Sequence, residues 1–344
     1  GDAAGRGDER VDAREVQSPG HRHRRGDRTA RRHAQATVGT VAPAEGGSIA
    51  REPAGMGAVR AQTREAVSAR HDDRRARVLA RRLPELPEVE FAATRLRTAV
   101  AGRVIARLEA LHPSQQRHLP EKATRAAVGL AIERVERRAK IQLVHLQGGA
   151  ILEVHFRMTG DWEFSRVGEA PPRHERVRLE TADGVRVSLV DSRALGVVRL
   201  HAPGAFVLPH LGPEPLTDDF TADGLQTALA RRSGPIKPAL LDQKLVAGVG
   251  NIYASEALWE ARIHPATAAN TLSRERVTRL RDAVRLVLET APTERYYGRA
   301  DIDEKEIWRV YGRDGEACRR CGASIKRLPQ AGRSTFYCPR CQRR

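Results

Sequence analysis

Residues 83–90 read Leu83-Pro84-Glu85-Leu86-Pro87-Glu88-Val89-Glu90. Pro87 suits the first turn of a helix, and Glu88 and Glu90 suit the positive end of its dipole. Val89, Ala93, Leu96 and Val100 then fall on one face, and Gly102 supplies an end. Pro84 and Glu85 stand in front of that helix and are not needed to start it. A proline at a chain terminus carries a secondary amine with a pKa of roughly 7.7–8, so part of it is uncharged and nucleophilic at neutral pH. Glu85 sets an acid beside that amine.

Working outward, the 344-residue chain suggests about two domains of roughly 150 residues each. Its net charge of +17 favours a polyanionic partner, most simply nucleic acid. Residues 1–82 carry 18 Arg and 11 acidic residues, whereas the remainder carries 42 basic and 32 acidic ones, so the part expected to fold is basic in its own right. Residues 1–82 also lack Phe, Trp and Tyr, with Ile49 and Leu79 as their only Ile or Leu. Such a segment buries too little apolar surface to offset its ordering entropy, and disorder is expected. No run of roughly 18 apolar residues suggests a membrane span.

From 84 to about 205 the signals are mostly strand, in Val104 to Leu111, Ala131 to Val135, Ile141 to Leu146 and Ile151 to Phe156. Arg176 to Leu179 and Val185 to Leu189 flank Ala182-Asp183-Gly184 as a hairpin. One helix followed by many short strands predicts a β-sandwich. Leu225 and Leu229 mark a helix capped by Thr221, Asn251 to Arg262 a second, and Val277, Leu280, Val284 and Leu288 a third. Gly248 and Gly250 are expected to let the backbone approach a ligand, with Asn251 capping the helix that follows.

Cys318, Cys321, Cys338 and Cys341 form C-x2-C-x16-C-x2-C. Two such pairs supply four thiolates for tetrahedral zinc around a β-hairpin, with two disulfides or an iron–sulfur centre as alternatives. Four Cys ligands leave no open position, so the metal is expected to be structural.

In order along the chain, these stretches resemble the formamidopyrimidine-DNA glycosylases, with endonuclease VIII-type enzymes as the sister group. The resemblance touches nearly all of 83–344. It rests on 83–90, Arg137-Arg138-Ala139-Lys140, His155-Phe156-Arg157-Met158-Thr159-Gly160 and Asp191-Ser192-Arg193-Ala194-Leu195-Gly196. It continues through His210 to Leu216, Ile236-Lys237-Pro238, Leu241-Asp242-Gln243-Lys244, Gly248 to Glu256, and the Arg333-to-Tyr337 segment before the second Cys pair.

The resemblance implies an α+β multidomain chain. Residues 83–208 would form a catalytic β-sandwich with a flanking helix, 217–306 a helix-two-turns-helix DNA-binding domain, and 310–344 a zinc ribbon. It implies a monomeric, bacterial, cytoplasmic, nucleoid-associated DNA repair enzyme. The substrate would be double-stranded DNA with oxidised bases or abasic sites, and the cofactor one structural Zn²⁺. Pro84 would be the nucleophile and Glu85 the acid. Lys140, Asn251 and Arg333 would hold phosphates, Lys140 and Arg333 counting also among the catalytic groups. Met158, Arg193 and Leu195 would fill the gap left by an extruded base, and Lys237 would meet the lesion.

Leu83 stands where the family has its initiator Met, so the native protein is expected to begin at Pro84, with residues 1–82 absent; Met56 is the rival start. If Pro84 stays internal, its nitrogen is an amide and a non-catalytic binder of damaged DNA is the alternative. Ala194 and Leu195 replace a common Arg and Phe, and Thr290 to Ile307 is short. Both departures bring an endonuclease VIII-like preference for oxidised pyrimidines into view beside oxidised purines.

Overall fold

Helix α1, Leu86–Val100, takes Pro87 in its first turn, and the Glu88 carboxylate accepts the Glu85 N–H at 3.0 Å. Its Val89, Ala92, Ala93, Leu96 and Val100 face is buried, and Gly102 follows at φ +78°. The computed structural model describes residues 84–292 and 304–344, all within one compact unit. The expected disorder of 1–82, and most of the short stretch after Thr290, lie outside the described residues.

Eight strands follow α1: β1 Ile105–Ala110, β2 Ile132–Arg138, β3 Ile141–Leu146, β4 Ile151–His155, β5 Gly160–Arg166, β6 Glu175–Thr181, β7 Val185–Asp191 and β8 Val197–His201. The short helices α2, Pro113–Gln116, and α3, Glu121–Ala127, sit between β1 and β2. The strands make two antiparallel four-stranded sheets, β1-β6-β7-β5 and β2-β3-β4-β8. One core is shared by α1 and both sheets, including Leu108, Val144, Leu152, Phe156, Trp162 and Leu189. Each such side chain contributes roughly 1.5–3 kcal/mol on full burial.

The chain passes between the sheets twice at the same end. Residues 156–159 carry β4 into β5, and residues 192–196 carry β7 into β8. Gly160 pairs with Asp191 in one sheet and His155 with Val197 in the other, so the two crossings run side by side.

The helical part comprises α4 Ala222–Ala230, α5 Ile236–Leu241, α6 Asn251–Glu260, α7 Arg274–Glu289 and the short α8 Glu304–Ile307. Thr221 caps α4 as expected, accepting the Gly224 N–H at 3.0 Å. Val277, Leu280, Val284 and Leu288 are the buried face of α7. A two-stranded hairpin, β9 Lys326–Gln330 and β10 Arg333–Tyr337, closes the chain. Among the described residues no helix is long and apolar enough to cross a membrane.

Candidate active site

Glu85 reaches across the fold to the start of α6. One carboxylate oxygen accepts the Gly250 N–H at 2.9 Å and the Tyr253 N–H at 3.2 Å, and the other accepts the Ile252 N–H at 2.8 Å. These donors are the unsatisfied amides of a helix N-terminus, which favour an anion. Gly250 is the N-cap and Asn251 the first helical residue, so the expected capping by Asn251 is corrected: the cap comes from Glu85, far away in sequence. The helix N-terminus is not left free for phosphate.

The two glycines explain the approach. A Cβ on Gly250 would lie 2.3 Å from the Glu85 carboxyl carbon, and one on Gly248, at φ +80°, would lie 2.6 Å from Leu86 Cδ1. The backbone therefore comes close to the chain's own Glu85-Leu86 segment rather than to a ligand, a second correction. Gln243 braces the turn, accepting from Gly248 N–H at 2.9 Å and donating to the Val249 carbonyl at 2.9 Å.

Glu85 is 3% exposed, and the adjoining Pro84 is buried. Burial pushes the Glu85 carboxyl above its ordinary range, against the opposing pull of the Lys140 ammonium and the backbone donors. Glu88 is buried beside it, accepting from the Tyr253 hydroxyl at 2.6 Å. Its carboxyl is pushed up to about 7, chiefly by burial, with the neighbouring Glu85 charge adding to the rise.

Lys140 follows a β2–β3 turn in which Ala139 adopts φ +53°. Glu214 holds that turn, accepting the Ala139 N–H at 2.6 Å, Arg138 at 2.6 Å and Arg137 at 2.9 Å. Arg138 also donates to the Gly212 carbonyl at 2.7 Å, so the segment joining sandwich to helices is fastened to the turn. The turn aims the Lys140 ammonium at the Val249 carbonyl, 3.1 Å away. Burial lowers the Lys140 pKa; Glu85 opposes this and Arg333 adds to it.

Lys237, expected to meet the lesion, is fully engaged within the protein in this structure. It is 0% exposed, and its ammonium donates to Asn251 Oδ1 at 2.5 Å, Thr335 Oγ1 at 2.8 Å and the Ser334 carbonyl at 3.3 Å. All three of its donors are thus used inside the protein. Burial brings its pKa down to about 8. Asn251 donates its own amide to the Ser334 carbonyl at 3.1 Å. The pair ties α5, α6 and the ribbon together. Arg333 begins β10 and is exposed, and its charge is felt by both Lys140 and Lys237.

Met158 and Leu195 stand out from the two crossings, 36% and 44% exposed. Arg193 lies on the same loop as Leu195 and is also exposed.

The four cysteine sulfurs all lie within 4.8 Å of one another, with Cys318 and Cys341 3.9 Å apart and Cys321 and Cys338 3.4 Å apart. Tetrahedral thiolates at about 2.3 Å from zinc sit about 3.8 Å from each other, so the donor set fits one closed Zn²⁺ site. All four cysteines are free thiols, which sets the disulfide alternative aside. Trp259 of α6 packs on the site and donates its indole N–H to Cys318 Sγ at 3.5 Å.

Comparison with known proteins agrees with this arrangement. Residues 83–198 match the formamidopyrimidine-DNA glycosylase N-terminal domain, 211–296 its H2TH domain, and 315–344 the zinc finger found in FPG and IleRS. The formamidopyrimidine-DNA glycosylase of Paracoccus denitrificans is 40% identical over 280 residues, covering 76% of this chain and 100% of the relative. The chain belongs to the formamidopyrimidine-DNA glycosylase family. The Chloroflexus aurantiacus glycosylase is likewise 40% identical over 272 residues, covering 76% of this chain and 98% of its own. Among solved structures, the Lactococcus lactis glycosylase bound non-covalently to DNA with an abasic site superposes with a TM-score of 0.69 at 33% identity. A complex of the same enzyme with Fapy-dG-containing DNA gives 0.69 at 31%; each covers 76% of this chain and 100% of its own. Family membership and the sulfur geometry together establish the zinc ribbon with one structural metal ion.

Residues passed over in the sequence are those that act over distance. Glu88, Tyr253, Gln243, Glu214 and Asp191 lie within the sequence motifs, but no local signal gives their partners. Glu256 is another: its carboxylate accepts the Arg309, Val310 and Tyr311 N–H groups at 2.8–2.9 Å, fixing the approach to the ribbon.

Proposed function

We propose that the chain is a bifunctional DNA glycosylase and abasic-site lyase, with the Pro84 amine as nucleophile. The observation that carries this reading is Glu85, adjoining Pro84 and locked onto the α6 N-terminus, with Lys140 supplying positive charge beside it and Arg333 a further charge felt by Lys140. Duplex DNA carrying an oxidised base or an abasic site binds this basic face. The damaged nucleotide is extruded because its reacting atom is hidden in the stack, and Met158, Arg193 and Leu195 fill the gap. The Pro84 nitrogen attacks the sugar C1′ and forms the N–C1′ bond as the bond to the base breaks. Glu85, whose carboxyl burial raises above its ordinary range, delivers a proton to the ring oxygen as the sugar opens. The resulting iminium permits β- and then δ-elimination, which break the 3′ and 5′ C–O bonds in turn. Lys140 and Arg333 hold flanking phosphates, and Asn251 orders the hairpin that carries Arg333.

This chemistry needs a free amine at Pro84, because a peptide-bonded proline nitrogen has its lone pair in amide resonance. The test sets a chain starting at Pro84 beside the 344-residue chain on one abasic-site duplex with borohydride. The shorter chain is expected to give a trapped covalent adduct and the longer one none. Equal trapping by both would assign the nucleophile to a lysine instead. On substrate, oxidised purines such as formamidopyrimidines and 8-oxoguanine are the first reading. Leu195 and Ala194 favour a second, a preference for oxidised pyrimidines, and excision rates on paired duplexes carrying each lesion decide between them.

A further inference from the structure

The two crossings that present Met158 and Leu195 share one buried carboxylate. Asp191 is 1% exposed and ends β7. Its Oδ1 accepts the Thr159 hydroxyl from the first crossing and the Arg193 N–H at 3.1 Å from the second. Its Oδ2 accepts the Leu195 and Gly196 N–H groups, both at 2.7 Å. Four donors converge on one side chain, and an ionised carboxylate is the only side chain of this size with four acceptor positions and no donor.

The surroundings add to the constraint. Ala194 is held at φ +53°, a left-handed conformation that is unfavourable for alanine and persists only when its neighbours fix it. Gln115 of α2 donates to the Gly196 carbonyl at 2.6 Å, closing the far end of the second crossing. In the first crossing, Arg157 sits at φ +59° and its N–H donates to His155 Nδ1 at 3.0 Å. A Cβ on Gly160 would lie 2.8 Å from the Phe156 carbonyl oxygen, so that turn is closed tightly too. Each crossing is thus a stiff loop with an exposed apolar tip, and the Asp191 carboxylate joins them, taking the Thr159 hydroxyl from one and three backbone N–H groups from the other.

We propose that Asp191 is a positioning residue that makes Met158 and Leu195 a single rigid wedge, so that both enter the base stack together when a nucleotide is extruded. The inference rests on the reading of these two residues as gap fillers and deepens it. Asp191 touches neither substrate nor reacting atoms. Its effect is on the extrusion step, and through Thr159 it reaches a loop of the opposite sheet connection.

The test uses the full 344-residue chain and a duplex with 2-aminopurine beside an abasic-site analogue, followed by stopped-flow fluorescence. This readout reports unstacking and needs no free Pro84 amine. Asp191→Asn turns an NH2 group toward backbone donors and is expected to slow the unstacking phase by about tenfold or more. Thr159→Val removes only the link between the crossings and is expected to slow it less, with unchanged thermal stability and zinc content. The decisive comparison is non-additivity: Met158→Ala should slow unstacking in the parent chain and have little further effect in the Thr159→Val background. Independent, additive effects of Thr159→Val and Met158→Ala overturn the coupling while leaving the gap-filling reading intact. Normal unstacking by both Met158→Ala and Leu195→Ala overturns the gap-filling reading itself, and the wedge with it.

Discussion

Gly250 and Glu85 occupy one another's space so closely that a Cβ on the glycine would lie 2.3 Å from the carboxyl carbon. The closeness lets a helix N-terminus receive a side chain from the other end of the fold, and it makes residue 250 answerable for the position of the catalytic acid proposed above.

Gly250→Ala is therefore expected to displace the Glu85 carboxylate and abolish measurable base excision. The overpacking should also lower stability by about 1–3 kcal/mol. Urea unfolding and single-turnover excision on an oxidised duplex check both parts. An alanine variant with parental excision would disconnect the Gly250 contact from catalysis.

Glu88 makes stability depend on pH. Its carboxyl is raised from 4.5 to about 7 in the folded chain, so the folded state binds the proton more tightly than the unfolded state. The contribution is fully present below pH 4.5 and is lost as pH rises through about 7. Glu88→Gln keeps an acceptor for the Glu85 N–H and turns an NH2 group to the Tyr253 oxygen, reversing that hydrogen bond without a titrating group, so it should flatten the stability profile between pH 4.5 and 7. Denaturant midpoints across that range test it, and a slope equal to the parent's contradicts the assignment.

Lys237→Met would leave Asn251 Oδ1 and Thr335 Oγ1 without the ammonium donor, while the Ser334 carbonyl keeps the Asn251 amide. Each buried acceptor left unmade costs about 1–3 kcal/mol, so the ribbon hairpin should loosen from α6. Hydrogen exchange of the β10 amides is expected to quicken and DNA affinity to fall with it. Unchanged exchange would show that the contact is dispensable.

Removing the metal should unfold the ribbon, since a closed four-thiolate site supplies folding energy, roughly 10–16 kcal/mol apparent in comparable peptides. Cys338→Ser should lower zinc content and DNA affinity together, with elemental analysis and binding titrations on the same preparation. A metal-free chain that binds DNA fully would refute the dependence.

Helix α1, the β6–β7 hairpin, the Thr221 cap and the ribbon were legible because their signals are local: period, turn residues and cysteine spacing. Strands β5 and β8 carry no such local signal. β5 begins at a glycine, and its charged and polar residues hide the alternation; β8 is only Val197–His201, following an irregular loop. The residues of the candidate site were named in sequence, but their contacts were not. Asn251 and Lys237 hydrogen-bond one another, because a capping group and the acceptors arrive from segments distant in sequence. Periodicity carries no record of such meetings.

The indole of Trp259 gives a last consequence. Its N–H lies on Cys318 Sγ, and the Arg320 guanidinium sits 3.8 Å above its ring. The other two tryptophans, Trp162 and Trp308, pack instead against Phe156 and Tyr253. The chain thus carries its own optical gauge of ribbon loading: the light emitted by one tryptophan should change as the thiolate beside it gains or loses its metal, without any added label.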